Sequence, residues 1–143
     1  MNKEYFMELA LEQAKIAYKK REIPIGCVIV KNGKVIAKAY NTREKSKSAI
    51  AHAEILAIDK ACKKVKNWRL EDSDIFVTVE PCLMCMGAIL NARIKNVYYG
   101  AKNTSMTNVD IDYSKSILNH KVNVVAGIKE EECASLLKSF FKR

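Results

Sequence analysis

The sequence contains no run of apolar residues long enough to cross a membrane. A spanning helix needs roughly 18 or more consecutive apolar residues, and charged side chains interrupt every apolar stretch of this chain. We also expect no secretory signal peptide, because the first predicted helix carries charges throughout its length. The interrupting residues are Lys3, Glu4, Glu8, Glu12 and Lys15. We therefore expect a soluble, cytoplasmic protein without a membrane partner.

The sequence also lacks internal repeats, low-complexity tracts and linkers rich in proline or glycine. Only 2 prolines and 5 glycines occur among its 143 residues. A chain of this length can form one domain with a substantial core, burying roughly 68–70% of the surface of the extended chain. We therefore expect a single domain over residues 1–143.

Cysteine is present, but without the targeting segment that would accompany secreted disulfides. In a reducing compartment, paired cysteines bind metal ions or do chemistry rather than form disulfides. Three of the five cysteines, Cys27, Cys62 and Cys133, lie in apolar strand or helix patterns. We expect these three to be small buried side chains. Cys82 and Cys85 remain as candidates for chemistry.

Acidic residues are too few to balance the basic ones. The chain has 25 Lys and Arg against 16 Asp and Glu, a formal net charge of +9. Such an excess suits a polyanionic partner, because each neutralised phosphate releases counterions. A lysine-rich proteome would give the same composition without such a partner. Clustering of basic residues ahead of His52 favours nucleic acid slightly: Lys31, Lys34, Lys38, Arg43, Lys45 and Lys47.

Hydrophobic periodicity predicts strands that alternate with helices. Asn32-Gly33 is a strong signal for a type I′ turn, which joins two antiparallel strands. The remaining pattern favours a mixed sheet with helices on both faces. The predicted helices cover residues 4–19, 52–65, 81–92 and 130–142. The predicted strands cover residues 24–30, 35–40, 74–79, 96–101 and 121–126. Residues 41–49 are predicted to form a polar loop.

The sequence carries a set of metal-binding side chains in a recognisable order. His52-Ala53-Glu54 is followed by Pro81-Cys82-Leu83-Met84-Cys85, and no second Cys-x-x-Cys or His-x-x-x-His pair occurs. One imidazole and two thiolates give zinc three ligands, which leaves open the fourth position that a catalytic site requires. Pro81 is expected to place both cysteines on the first turn of a helix, where the dipole favours thiolates. His-x-Glu with Pro-Cys-x-x-Cys is typical of zinc-dependent nucleobase deaminases.

Glu54 is the expected acid–base group of this site. Zinc lowers the pKa of its water from 15.7 toward ~7, and a carboxylate beside it can move the proton to the substrate and then to departing ammonia. The alternative is that Glu54 merely complements the dipole of a helix N-terminus. His120, the other histidine, lacks ligand neighbours in the sequence and is expected to be structural rather than a substrate contact.

Beyond this motif, the chain resembles the cytidine-deaminase-like superfamily and, within it, the bacterial tRNA-specific adenosine deaminases. The Trp-Arg-Leu stretch and the Val-Glu-Pro-Cys-x-Met-Cys-x-Gly-Ala context are most similar to the tRNA branch. The similarity covers nearly the whole chain. Its matching stretches are residues 22–26, 41–43, 51–54, 67–70, 78–88, 99–101, 119–120 and 132–141.

The resemblance implies a three-layer α/β/α fold with a five-stranded mixed sheet, and conversion of the wobble adenosine of tRNA to inosine. It also implies Zn²⁺ held by His52, Cys82 and Cys85, and binding of the tRNA anticodon stem-loop. Asn41 is expected to hydrogen-bond the target base, since an amide can both donate and accept; its alternative is an ordinary strand-to-loop Asn. Ile23 and Pro24 are expected near the pocket wall.

A homodimer is a further implication of the resemblance, with substrate sites near the subunit interface. The predicted helix over residues 81–92 offers apolar surface for such a partner in Met84, Met86 and Ile89. The competing interpretation is that all three side chains simply pack on the sheet.

One segment departs from the family pattern. After Tyr99-Gly100-Ala101 the family usually carries Asp, then Lys and a glycine-rich stretch that contacts RNA. Here Asn103 stands where the Asp is expected, and the run from Lys102 to Asp110 contains no glycine. We expect Lys102 and Asn103 to face the RNA, although residues 102–115 can also be read as an ordinary surface loop.

Two other functions remain compatible with the sequence. The same scaffold can deaminate a free base or nucleoside of the guanine or cytosine type. A catalytically silent RNA-binding or scaffold protein that kept its zinc is the other alternative, but binding alone has no use for the proton-transfer group Glu54.

Overall fold

The computed structural model describes residues 1–106 and 120–143. Its helices are α1 (Lys3–Lys19), α2 (Arg43–Ser46), α3 (Ala53–Val65), α4 (Leu83–Asn91) and α5 (Glu130–Phe141), with a 3-10 turn at Thr104–Met106. Its strands are β1 (Gly26–Lys31), β2 (Lys34–Tyr40), β3 (Ser73–Val79), β4 (Asn96–Ala101) and β5 (Asn123–Val125).

The five strands form one mixed sheet in the order β2-β1-β3-β4-β5. β1 pairs antiparallel with β2 and β3, whereas β3–β4 and β4–β5 are parallel. At the β1–β2 turn, Asn32 and Gly33 have φ angles of 52° and 75°. Positive φ at both central residues is what a type I′ turn requires, so the predicted hairpin is confirmed.

Helices cover both faces of the sheet, each over its own apolar core. On one face, α1 and α5 pack over a cluster that includes Phe6, Phe76 and Tyr98. On the other face, α3 and α4 pack over a cluster that includes Ile75 and Val97. Ile75, Phe76 and their neighbours alternate between the two clusters because successive side chains of a strand point to opposite faces. The predicted three-layer α/β/α arrangement is confirmed.

Two glycines allow helices to approach the sheet closely. A Cβ on Gly26 would lie 2.0 Å from the Ala10 carbonyl oxygen of α1. A Cβ on Gly100 would lie 2.4 Å from the Cys133 sulfur of α5 and 2.9 Å from the Thr78 carbonyl oxygen. Both helices of this face therefore depend on positions where any side chain would clash.

Several predicted boundaries are wrong. The loop predicted over residues 41–49 contains α2. β1 begins at Gly26 rather than at residue 24, because the Ile25 N–H donates to the Ile23 carbonyl and closes a tight turn around Pro24. α4 begins after Cys82, whose extended backbone makes it the N-cap. β5 is confined to Asn123–Val125 and is shorter than the predicted 121–126.

The cysteine predictions are confirmed at two positions and need correction at the third. Cys27 and Cys133 are buried in the core. Cys62 is only partly buried, since it lies near the end of α3, with its sulfur 3.6 Å from the Trp68 carbonyl oxygen. Over residues 1–106 and 120–143, none of the helices is long and apolar enough to cross a membrane.

Candidate active site

Two helix N-termini meet at the candidate site. His52 is the N-cap of α3, and its carbonyl accepts a hydrogen bond from the Leu56 N–H at 3.1 Å. Cys82 is the N-cap of α4, and its carbonyl accepts from the Met86 N–H at 2.9 Å. Each N-terminus carries partial positive charge from its helix dipole. The site is therefore suited to anionic ligand atoms before any ion is considered.

The side chains of His52, Cys82 and Cys85 converge on one point. The Nδ1 atom of His52 lies 3.7 Å from the Cys82 sulfur and 3.6 Å from the Cys85 sulfur. All three candidate ligand atoms lie within 4.8 Å of one another. A tetrahedral zinc with Zn–S bonds of about 2.3 Å and Zn–N bonds of about 2.05 Å would separate nitrogen from sulfur by roughly 3.6 Å. The spacing of these atoms fits zinc.

The charges of the three side chains also fit a divalent cation. Burial, with a smaller effect from Arg43, lowers the pKa of His52 and favours the neutral imidazole that binds metals. Burial raises the pKa of the Cys85 thiol, and the Glu54 carboxylate raises it further. Burial and the Glu54 carboxylate therefore oppose the stabilisation of the thiolate that is expected from the helix N-terminus. A metal ion reverses this balance by deprotonating its thiol ligands.

Glu54 lies beside the metal-binding triad. It is the second residue of α3 and only 4% exposed. Burial raises the pKa of its carboxyl group to about 7, opposed by hydrogen bonds from its own backbone N–H and from the Cys85 side chain. The carboxyl group is thus close enough to Cys85 to influence its pKa, while remaining outside the set of three candidate ligands. A carboxyl group with a pKa near neutrality is well suited to accept and return a proton.

Asn41 lies at the end of β2 in a loop tied to the metal-binding residues. It is 5% exposed; its Nδ2 donates to the Ile23 carbonyl at 3.4 Å, and its Oδ1 accepts from the Arg43 N–H at 3.1 Å. The Thr42 N–H donates to the Ala51 carbonyl, next to His52. The structure therefore brings Asn41 together with Ile23 and connects both to the metal-binding side of the sheet.

Lys102 and Asn103 follow the end of β4, and their side chains differ in exposure and in contacts. The Lys102 side chain is exposed. The Asn103 backbone N–H donates to the Glu80 carboxylate at 3.1 Å, its Nδ2 donates to the Glu80 carbonyl at 3.4 Å, and its Oδ1 accepts from Ser105. Of the departing segment 102–115, residues 107–115 lie outside the described part of the chain, as does Asn119 of the family match.

The contacts of Asn103 give a testable consequence. Asn103→Asp removes the Nδ2 donor and brings a second carboxylate close to Glu80, so we expect a loss of roughly 1 kcal/mol of stability at unchanged zinc content. Thermal unfolding measures the stability, and elemental analysis measures the zinc content. Asn91→Asp makes the same chemical change at an exposed site and serves as control. If the Asn103→Asp protein had the same melting temperature as the parent, the hydrogen bonds of Asn103 to Glu80 would not contribute to stability.

Two carboxylates of this region were not singled out by the sequence analysis. Glu80 accepts from the Asn103 N–H, and the buried Glu22 accepts from the backbone of α2. The sequence signal that could have identified them is that each is a charged residue inside a stretch that matches the family. His120 has the structural contact expected of it, since its Nε2 lies 2.7 Å from the Ile94 carbonyl oxygen.

The structure distinguishes the two interpretations of the apolar residues Met84, Met86 and Ile89 of α4. Met86 and Ile89 are buried in the core cluster, because they lie on the side of α4 that faces the sheet. Met84 is half-buried, whereas Leu83 is 53% exposed and Gly87 is exposed. Met86 and Ile89 therefore pack on the sheet, and the outward apolar face of this helix is formed by its first turn, which includes Leu83 and Met84.

Comparisons with known proteins give consistent matches. A family model for the cytidine and deoxycytidylate deaminase zinc-binding region matches residues 1–101. A tRNA-specific adenosine deaminase of Streptococcus pyogenes serotype M1 is 48% identical over 142 residues, covering 97% of this chain and 83% of the relative.

Two solved structures are also similar. One, from a study of A-to-I editing by tRNA:A34 deaminases at the wobble position of transfer RNA, is 40% identical with a TM-score of 0.85, covering 92% of this chain and 98% of the other. A guanine deaminase from Bacillus subtilis is 36% identical with a TM-score of 0.70, covering 86% and 83%. Similar folds therefore occur both in a structure from a study of tRNA deaminases and in a guanine deaminase.

Proposed function

This chain belongs to the cytidine and deoxycytidylate deaminase family, in the group of the tRNA-specific adenosine deaminases, and we propose that it converts the wobble adenosine of a tRNA to inosine. The observation that carries the proposal is the buried Glu54 carboxyl group, two residues from His52 at the start of α3, beside a His52–Cys82–Cys85 triad spaced for zinc. The reaction is hydrolytic: water adds at C6 of the adenine, and the bond from C6 to the amino nitrogen breaks.

The side chains divide the chemistry between them. His52, Cys82 and Cys85 would hold Zn²⁺, which lowers the pKa of water toward ~7 and so provides a nucleophile near neutral pH. Glu54 takes the proton of the attacking water, delivers it to the adjacent ring nitrogen, and protonates the amino group that leaves as ammonia. Its burial keeps bulk water away from these proton transfers, which strengthens the electrostatic interactions inside the site.

Asn41 would bind the base during these steps. Its amide is already oriented by Ile23 and Arg43, and an amide can both donate to and accept from a base edge. Ile23 and Pro24, in the tight turn before β1, would form part of the pocket wall. A base held in one orientation presents C6 rather than another atom to the nucleophile, which is the positional contribution to the rate.

The anticodon stem-loop would be recognised through the basic surface of the chain. Lys102 is exposed directly after β4, beside the segment that Asn103 fixes to Glu80. A polynucleotide contacts such a lysine through its phosphates, whereas a free base has no phosphate to offer. The net charge of +9 is consistent with a polyanionic substrate.

Lys102→Ala is expected to weaken tRNA binding and to reduce the salt dependence of the affinity by about one unit of slope. The physical reason is the loss of one phosphate neutralisation and its released counterion. Binding titrations at several salt concentrations measure both quantities, with the exposed Lys64→Ala as a control for net charge. Equal slopes for Lys102→Ala and the parent would remove Lys102 from the RNA contacts.

We also place the enzyme in the cytoplasm as a homodimer. The outward first turn of α4, with Leu83 53% exposed beside the Cys82 ligand, is the apolar surface that a second copy would cover. Charged replacement of this residue, Leu83→Glu, would then shift the molar mass toward that of a monomer. Light scattering that gives a monomer for the parent over a wide concentration range would exclude the dimer.

The substrate assignment is tested by turnover of matched substrates. The purified protein is incubated with tRNA carrying an adenosine at the wobble position, with the same tRNA carrying guanosine there, and separately with free guanine and cytidine. Inosine formation in the first tRNA alone is the expected result. Efficient turnover of free guanine with none on tRNA would move the chain to the free-base function of its 36% identical structural relative.

A further inference from the structure

A buried carboxylate lies just before the proposed pocket wall and takes no part in the chemistry described above. Glu22 is 2% exposed. Its Oε1 accepts a hydrogen bond from the Glu44 N–H at 3.0 Å, and its Oε2 accepts from the Lys45 N–H at 2.8 Å. Among the described residues, no lysine, arginine or histidine forms an ion pair with it. Two consecutive backbone amides are thus its observed partners.

These two hydrogen bonds hold a helix that is too short to be stable alone. α2 has four residues, and the first turn of a helix is unfavourable without outside support. The side chain of its N-cap, Thr42, makes no cap hydrogen bond and instead pairs with Ser46 at 2.9 Å. Glu22 therefore satisfies the free N–H groups that a capping side chain would ordinarily take.

The loop held in this way carries Asn41. The Asn41 side chain accepts from the Arg43 N–H, at the first residue of α2, and donates to the carbonyl of Ile23, the residue after Glu22. The Asn41 N–H also donates to the Ile25 carbonyl at 3.1 Å. The segments 22–25 and 41–45 are consequently joined on both sides of the Asn41 amide.

We propose that Glu22 is a positioning residue for substrate binding, which fixes the orientation of the Asn41 amide by anchoring α2. The proposal rests on the proposed function, in which Asn41 contacts the target base. A carboxylate suits this task better than an amide, because both of its oxygens accept. Glutamine would place an NH₂ group against one of the two backbone N–H donors.

The test is a double-mutant cycle between Glu22→Gln and Asn41→Ala. Glu22→Gln is expected to lower kcat/KM for tRNA roughly ten- to a hundredfold, the scale of a misplaced substrate-positioning group, with zinc content unchanged. If Glu22 acts through Asn41, the same substitution has little further effect in the Asn41→Ala protein, because coupled residues are not additive. Glu12→Gln, at an exposed position of α1, is the matched control.

A purely structural role predicts a different pattern. The melting temperature would fall by the same amount in both backgrounds, and the losses in kcat/KM would multiply, which would overturn the proposal. Parent-like kinetics for Glu22→Gln would overturn it as well. Where Glu22→Gln fails to fold, Glu22→Asp, which keeps the charge but shortens the reach, is carried through the same cycle.

Failure of the proposed function has its own signature. Parent-like turnover by Asn41→Ala alone would remove the base contact, and the positioning role would fall with it. A parent that deaminates guanine but not tRNA would refute only the substrate assignment, and the cycle is then measured on guanine. Loss of activity in Asn41→Ala with full additivity of Glu22→Gln would refute the positioning role alone.

Discussion

Glu54→Ala is expected to abolish deamination while leaving the fold and the bound zinc intact. General acid–base catalysis by one group contributes about 10²–10⁴-fold, and Glu54 is proposed to serve several proton transfers of one reaction. A loss beyond the lower end of this range is therefore expected. The fold should tolerate the change, since burial raises the pKa of Glu54 and so makes its ionised form unfavourable at that place.

Glu54→Gln is the matched variant, because it keeps the size of the side chain and one acceptor oxygen but can no longer take up and return a proton. Single-turnover kinetics on tRNA measure the chemical step, and elemental analysis measures zinc in the same preparations. Both variants should lose turnover to a similar extent, with tRNA affinity retained. A folded, zinc-loaded Glu54→Ala protein that deaminates tRNA at nearly the parent rate would refute the assigned mechanism.

The parts of the fold that the sequence predicted correctly depend on local signals. Asn32-Gly33 specifies its own turn through the positive φ angles of two adjacent residues, and the antiparallel pairing of β1 with β2 follows from it. The family resemblance extended this to a five-stranded mixed sheet in a three-layer α/β/α fold. The resemblance itself is confirmed by the family model and by relatives of 41–48% identity.

The parts that were wrong depend on contacts between distant residues. α2 forms in a polar stretch because Glu22, 22 residues earlier than Glu44, supplies its N-terminal acceptors. No local pattern in residues 41–49 reports that contact. Likewise, the apolar character of α4 did not reveal which side faces the sheet, so the sequence left open whether Met86 and Ile89 lie on the surface or in the core, where both are buried.

The same distinction applies to the candidate site. The spacing of His52, Cys82 and Cys85 could be read from the sequence because each residue type has few other uses in that order. Their convergence to within 4.8 Å agrees with the expected ligand set. The contacts of Asn103 could not be read, since they depend on Glu80, 23 residues earlier in the chain. Its side chain is bound to the protein where the sequence suggested that it faces RNA.

Cys85→Ala is expected to remove zinc and stability together. The parent should contain about one zinc per chain, and the variant close to none, because only two protein ligands would remain of the three that a catalytic site provides. Cys85 is buried in the first turns of α4, so its sulfur connects the ion to the core beneath the helix. A metal ion that binds the folded state but not the unfolded state stabilises the folded state. Loss of the ion therefore lowers the melting temperature.

Chelation separates this effect from the loss of a buried sulfur. Removing zinc from the parent should lower its melting temperature, whereas Cys85→Ala should melt at the same temperature with and without chelator, since it has no ion to lose. Cys62→Ala makes the same change at a cysteine near the end of α3 and should keep both the zinc and the response to chelator. Full zinc in Cys85→Ala would remove that residue from the ligand set.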